Sequence, residues 1–188
     1  MGKAALLIID MQNDFVLDKK PMRVAGARDV IPKIQTVLSE FRKRSLPVFH
    51  ILRVHRPDGS DVEITRKELF ARSPFAVEGT KGAAVIDELT PHKGEYVLTK
   101  IRMSAFIGTE LDLMLRTLGV SMLFVCGIQT PNCIRTTVFD AIACNYPVVL
   151  IDDATGASSE DIHRANVRDM RNIGVRIEKT AEMPGILG

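Results

Sequence analysis

The sequence predicts an α/β fold in which a parallel sheet is covered by helices on both faces. Short apolar runs that end abruptly alternate with amphipathic segments, and this alternation is typical of right-handed βαβ crossovers. Six runs are predicted as strands, at residues 4–9, 47–52, 96–98, 121–126, 147–152 and 175–178. Four segments with helical apolar spacing are predicted as helices, at residues 31–43, 110–118, 132–144 and 159–173. The segment 58–94 is irregular and is predicted to run over the surface, as lids and substrate-binding loops often do.

Composition places the chain among soluble globular proteins. It has 188 residues, of which 46% are hydrophobic and 26% charged, and we expect a single domain over residues 1–188. The net charge is +2 without a Lys/Arg block, so neither nucleic acid nor a membrane surface is indicated as a partner. No apolar run is long enough to span a bilayer. The apolar N-terminal run meets Asp10 with no small-residue cleavage site, which favours a first strand over a signal peptide.

The three cysteines predict free thiols. Their number is odd and no two of them form a Cys-x-x-Cys pair, which argues against a disulfide framework and favours a reducing, cytoplasmic setting.

Three reactive side chains follow predicted strands. Asp10 follows the first strand, Lys100 the third, and Cys133 the fourth after a six-residue turn. Ligands of parallel α/β sheets bind outside the carboxyl ends of the strands, so these residues are expected at one edge. Taken singly, Asp10 is compatible with a cap, Lys100 with a solvated lysine and Cys133 with a small buried hydrophobe. Only their combination predicts a site.

The position of Cys133 is typical of a nucleophile. It lies at the start of a predicted helix, where free N–H groups and the macrodipole favour a thiolate. We expect a nearby lysine to lower the pKa of the thiol further and a carboxylate to collect its proton. The turn before it offers N–H groups for an oxyanion.

Three segments of the chain resemble the isochorismatase-like cysteine hydrolases. They are residues 7–15 (LIIDMQNDF), 99–106 (TKIRMSAF) and 126–141 (CGIQTPNCIRTTVFDA), and residues 78–83 and 153–155 also fit the family pattern. The resemblance implies a Rossmann-like three-layer α/β/α fold with a six-stranded parallel sheet, and a homo-oligomer. It implies a catalytic triad of Asp10, Lys100 and Cys133 that cleaves a small amide through a thioester. It also implies a cis peptide between Ile128 and Gln129, and an oxyanion hole made by the N–H groups of Gln129 and Cys133.

The resemblance also bears on cofactors and substrate. Nicotinamidase relatives carry a metal site around an Asp-x-His segment after the second strand, whereas this chain has ILRVH at residues 51–55 and lacks the aspartate. The histidines show no ligand spacing, so we expect neither a metal nor another cofactor. The chain looks more like ureido amidohydrolases such as those acting on ureidoacrylate or carbamoylsarcosine. Arg53 and Arg102 are candidates to bind a substrate carboxylate, and Phe15 and Phe106 to line the pocket.

Other functions stay open at this point. A vinyl-ether hydrolase of the isochorismatase type needs the aspartate but no cysteine nucleophile. A catalytically silent scaffold or binding subunit is a second alternative, and a redox thiol protein is a third, although no resolving cysteine is evident near Cys133. Gln129, Pro131 and Asn132 also differ from the smaller or acidic residues common in the family.

Overall fold

The structure is a computed structural model that describes residues 3–18, 20 and 22–187. Six strands form one parallel sheet in the order β3-β2-β1-β4-β5-β6. They are β1 (Lys3–Ile9), β2 (Val48–Arg53), β3 (Tyr96–Lys100), β4 (Val120–Ile128), β5 (Val148–Gly156) and β6 (Arg176–Glu178). The predicted α/β fold with a six-stranded parallel sheet is confirmed.

Seven α-helices accompany the sheet in the described part of the chain. They are α1 (Asn13–Val16), α2 (Ile31–Lys43), α3 (Lys67–Arg72), α4 (Leu111–Thr117), α5 (Arg135–Ala143), α6 (Glu160–Asn172) and α7 (Met183–Leu187). The four predicted helices are α2, α4, α5 and α6. The third differs from its predicted form, because a π-helical turn (Thr130–Ile134) precedes α5. Among the described residues, no helix is both long and apolar enough to cross a membrane.

The central strand β1 is buried on both faces, which explains its unbroken apolar sequence. Leu6 and Ile8 point into a core that also contains the apolar stripe of α2. Leu7 and Ile9 point into a second core on the opposite face, which contains buried residues of α4, α5 and α6. The sheet is therefore sandwiched between two helical layers, and its carboxyl edge is left to build a site.

The segment 58–94 is more firmly anchored than a surface excursion. It contains α3 and three 3₁₀ turns (Ile64–Arg66, Lys81–Ala83 and Asp87–Leu89). Two of its own side chains, Phe75 and Ile86, are fully buried in the core that also contains the apolar stripe of α2. The N–H of Ala76 donates to the Asp14 carboxylate at 2.9 Å, which fixes the segment to α1.

Gly127 allows β4 to approach β1 closely at the carboxyl edge. Its φ of 110° is a conformation that side chains rarely adopt. A Cβ at this position would overlap the carbonyl oxygen of Ile9, which directly precedes Asp10. Both the backbone conformation and the space therefore require glycine.

We predict that Gly127→Ala lowers the free energy of unfolding by about 3 kcal/mol or more, because it combines an unfavourable φ with a backbone clash. Gly79→Ala is the matched control, since Gly79 also has a positive φ but open space around it. The control should lose only about 1 kcal/mol. Urea denaturation of both variants measures the difference, and equal losses would show that the close approach to Ile9 is unimportant.

Glu95 joins three elements just before β3. Its carboxylate accepts hydrogen bonds from Arg42 of α2 at 2.6 and 3.0 Å and from the His92 N–H at 2.8 Å. It also lies 2.9 Å from Nε2 of the buried His50. Burial alone would raise its pKa, but these hydrogen bonds lower the pKa to about 2, from an ordinary value of 4.5.

Because the folded-state pKa of Glu95 is depressed, its contribution to stability is present above pH 4.5 and is lost as the pH falls toward 2. We predict that Glu95→Gln lowers the free energy of unfolding by about 3 kcal/mol at pH 6, and that the deficit shrinks as the pH approaches 2. Urea titrations across this range measure it, with Glu88→Gln at an exposed position as the control. A deficit that does not change with pH would contradict the assignment.

Candidate active site

The structure brings Asp10, Lys100 and Cys133 together at the carboxyl edge of the sheet. Asp10 directly follows β1, Lys100 is the last residue of β3, and Cys133 lies in the π-helical turn after β4. All three side chains are buried, although each is polar or reactive. Buried groups of this kind need partners, and the partners define the site.

Lys100 and Asp10 form a buried ion pair. Lys100 Nζ donates to Asp10 Oδ2 at 3.0 Å and to the carbonyl oxygen of Arg102 at 3.2 Å. The other carboxylate oxygen, Asp10 Oδ1, is buried and has no hydrogen-bond partner among the described residues. Asp10 itself has a φ of 55°, which turns the chain sharply at the end of β1. One oxygen is thus held by the lysine, and the other is available to a reacting group.

The turn that carries Cys133 begins immediately after β4. The Ile128–Gln129 peptide is cis. The N–H groups of Asn132 and Ile134 both donate to the Gln129 carbonyl oxygen, at 3.1 and 3.3 Å. The N–H of Gln129 donates to no described residue. Cys133 follows on the same turn, which keeps the thiol and this donor on one short segment.

Arg53, the last residue of β2, lies beside the thiol. Its Nη2 is 3.7 Å from Cys133 Sγ, and its Nη1 donates to Glu63 Oε1 at 2.7 Å. The guanidinium is almost completely buried. Burial would lower its pKa, but the charges of Cys133, Asp10 and Glu63 raise the pKa well above its ordinary value. Arg53 is therefore a permanent cation next to the sulfur.

The polar residues that follow Asp10 hold the site in place. The Gln12 side chain accepts from the N–H of Arg53 at 2.8 Å and donates to its carbonyl oxygen at 2.7 Å. It also donates to the carbonyl oxygen of Ala83 at 2.8 Å. The Asn13 amide donates to the carbonyl oxygen of Lys81 at 2.8 Å. These bonds join β1, β2 and the 58–94 segment at one point, so Gln12 positions the backbone of Arg53.

The thiol of Cys133 is less acidic than the sequence suggested. Burial and the Asp10 carboxylate raise its pKa, while Lys100 and Arg53 lower it, and the net direction is upward. The lysine acts in the expected direction, but desolvation disfavours the charged sulfur more strongly than the two cations favour it. The net direction of the pKa shift therefore differs from the one expected.

A small pocket of about 30 Å³ opens onto the sulfur. It is lined by Asp10, Phe15, Met22, Val24, Arg53, Arg66, Ile128, Gln129, Asn132 and Cys133. Two of the predicted substrate-binding residues, Phe15 and Arg53, line this pocket. The other two lie elsewhere.

Arg102 and Phe106 lie outside the pocket that contains Cys133. Arg102 Nη1 donates to the carbonyl oxygens of Asp61 and Ile101, because the chain turns away from the pocket after Lys100. Phe106 packs against Tyr146 in the second core, with ring centroids 6.2 Å apart. Arg66 lines the pocket and Glu63 holds Arg53, but sequence reasoning missed both residues. They belong to an irregular segment whose residue pattern gives no signal for their position.

The described histidines do not fit a metal site. His55 Nδ1 lies 3.3 Å from Asp61, and its ring packs edge-on against Phe70 and Phe75. His50 is a core histidine with Nε2 bound to Glu95, and its Nδ1 has no partner among the described residues. No cluster of three His, Cys, Asp or Glu side chains among the described residues could hold an ion. Arg53 also places a fixed positive charge beside the sulfur, which would repel a cation.

Comparisons with known proteins agree with this geometry. A family model described as the isochorismatase domain matches residues 4–182. A probable inactive nicotinamidase of Arabidopsis thaliana is 43% identical over 176 residues, covering 92% of this chain and 90% of that protein. The N-carbamoylsarcosine amidase of an Arthrobacter species is 28% identical, covering 95% of this chain and 69% of its own length.

A solved structure extends this likeness to three dimensions. An isochorismatase family protein from Desulfovibrio vulgaris is 44% identical and has a TM-score of 0.96, covering 100% of this chain and 99% of that one. The match of the family model to nearly the whole sequence and the shared fold lead to one conclusion. The chain belongs to the isochorismatase family.

Proposed function

We propose that this chain is a cysteine hydrolase that cleaves a C–N bond of a small amide or ureido substrate through a thioester on Cys133. The observation that carries the proposal is the surroundings of the thiol. Cys133 lines one pocket with the Asp10 carboxylate, whose Oδ1 has no partner among the described residues. The Arg53 guanidinium lies 3.7 Å from the sulfur. A nucleophile, a base and a fixed positive charge thus meet in one place.

Asp10 serves as the base in this proposal. It takes the proton of the Cys133 thiol on Oδ1, while Lys100 holds Oδ2 and so fixes the carboxylate. The sulfur attacks the substrate carbonyl carbon and forms a C–S bond, and the negative charge moves to the carbonyl oxygen. The N–H groups of Gln129 and Cys133 stabilise that oxyanion. The C–N bond then breaks, and Asp10 returns the proton to the leaving nitrogen.

Hydrolysis of the thioester completes the cycle. Asp10, now ionised, takes a proton from a water molecule, and the hydroxyl oxygen attacks the thioester carbonyl. The C–S bond breaks, and the proton returns to the sulfur.

Since the proton moves only between Cys133 and Asp10 in the first step, the net charge of the buried site is unchanged. Such a transfer costs less in a buried site than the creation of a new charge.

Arg53 is assigned a different role from the one expected. Glu63 already holds one side of the guanidinium, and the other side faces the sulfur, so the group is better placed to stabilise the developing thiolate than to bind a substrate carboxylate.

The residues present also bear on the substrate. Arg53 occupies the position at which nicotinamidase relatives have the aspartate of their metal site. Nicotinamide is therefore not the substrate we propose, which agrees with the name of the Arabidopsis relative. The likeness to an N-carbamoylsarcosine amidase supports a ureido substrate.

Replacement of Cys133 tests the nucleophile. We predict that Cys133→Ala lowers the release of ammonia from a panel of primary amides, ureido acids and carbamoyl amino acids by about a thousandfold or more, since the covalent route is lost. Cys144→Ala, at a free and partly exposed cysteine, should retain full activity. Amide turnover by the Cys133→Ala variant, or hydrolysis of a vinyl ether at a rate that this substitution does not change, would contradict the proposal.

Replacement of Arg53 tests the thiolate-stabilising cation. Arg53→Gln should raise the pKa of Cys133 further and slow both turnover and alkylation of Cys133 by iodoacetamide at pH 8, by about tenfold or more. The double variant Arg53→Gln/Glu63→Gln avoids an unpaired Glu63 and should be equally slow if the cation is what matters.

Arg102→Gln is the matched control for Arg53, because this arginine donates to backbone carbonyls outside the pocket. We expect it to change either rate by less than about threefold. If Arg53→Gln and Arg102→Gln behave alike, the assigned role of Arg53 is wrong.

A further inference from the structure

A chain of three polar side chains lies behind the turn that carries Cys133, outside the pocket itself. Thr130 Oγ1 lies 2.9 Å from His163 Nδ1, and His163 Nε2 lies 2.9 Å from Asp152 Oδ1. Thr130 is the first residue of the π-helical turn, His163 belongs to α6, and Asp152 belongs to β5. Thr130 is completely buried, and the His163 side chain is only 12% exposed. The chain therefore ties the turn to two neighbouring elements.

Both ring nitrogens of His163 have a partner in this chain. Nδ1 faces the Thr130 hydroxyl, which also bonds to the carbonyl oxygen of Gly156 at 3.0 Å. Nε2 faces the Asp152 carboxylate, and this hydrogen bond lowers the pKa of Asp152. His163 therefore joins the buried Thr130 hydroxyl to the carboxylate of β5.

We propose that His163, held by Asp152, is a positioning residue that fixes Thr130 and thereby the turn carrying the Gln129 N–H and Cys133. The inference rests on the proposed function only for what the turn does, namely presenting a nucleophile and an oxyanion donor. Loss of the His163 ring would leave the Thr130 hydroxyl with Gly156 as its remaining partner among the described residues, so the start of the turn would lose its hydrogen bond to α6.

The surrounding charges keep Asp152 ionised. Lys179 and Arg171 both lower its pKa in addition to His163. On α6, Arg164 is paired with Glu160 at 2.6 Å. Asp153, the neighbour of Asp152, is engaged by Thr180 and Lys33. Asp29 of the neighbouring loop and Arg168 of α6 also line the cavity that opens onto His163. These charges favour the ionised Asp152 carboxylate that bonds to His163 Nε2.

Backbone NMR of the full-length protein tests the positioning role directly. The Thr130→Val and His163→Gln variants should shift the backbone amide signals of Gln129 and Cys133 in the same direction. These readouts do not depend on turnover, so they decide the inference even if no amide in the panel is cleaved.

Kinetics of the same variants provide the second readout on any amide that the wild type cleaves. Thr130→Val and His163→Gln should each lower kcat about tenfold with KM changed less than threefold, and the double variant should be no worse than the worse single one. Thr130→Ser, which keeps the hydroxyl, should restore the rate, and Arg168→Gln on the same helix should not alter it. Unchanged amide signals of Gln129 and Cys133 in Thr130→Val and His163→Gln, or fully additive losses in the double variant, would overturn the proposal.

Discussion

The buried ion pair between Lys100 and Asp10 is the interaction on which the rest of the site depends. At 3.0 Å it joins the ends of β3 and β1, two strands that are separated in the sheet by β2. An isolated carboxylate at this depth would favour its neutral form, because burial penalises charge. The lysine compensates for that penalty and binds one oxygen, whereas the other oxygen has no partner among the described residues. The proposed role of Asp10 as a base depends on this pairing.

Charge balance extends beyond that pair. Arg53 and Glu63 form a second pair between the end of β2 and the 58–94 segment, at 2.7 Å. Cys133 lies close to both pairs, and its thiol has a raised pKa because burial outweighs the two cations. Burial thus disfavours a thiolate here, and the two neighbouring cations reduce that penalty. In the proposed mechanism, Asp10 removes the proton of the thiol.

Sequence reasoning reached the fold and the central residues because both follow from simple patterns. Apolar runs such as residues 4–9 identify strands, and the carboxyl ends of parallel strands bring Asp10, Lys100 and Cys133 to one edge. It could not assign Arg53 its partner, since Glu63 lies in an irregular segment without periodicity. It also misjudged the acidity of Cys133, because desolvation depends on how many atoms surround the sulfur, which no local pattern encodes. Arg102 was placed in the pocket because the chain direction after β3 is not visible in the sequence.

The central claim is that Cys133 becomes covalently acylated, and intact-protein mass spectrometry tests it most directly. The protein would be mixed with the amide of the panel that it cleaves fastest and quenched in acid within milliseconds. Its intact mass would be measured, and peptide mapping would then locate the modified residue. We expect an adduct with the mass of the acyl group, confined to the peptide containing Cys133. Turnover of that amide without an adduct at any quench time, or with the adduct on another residue, would contradict it.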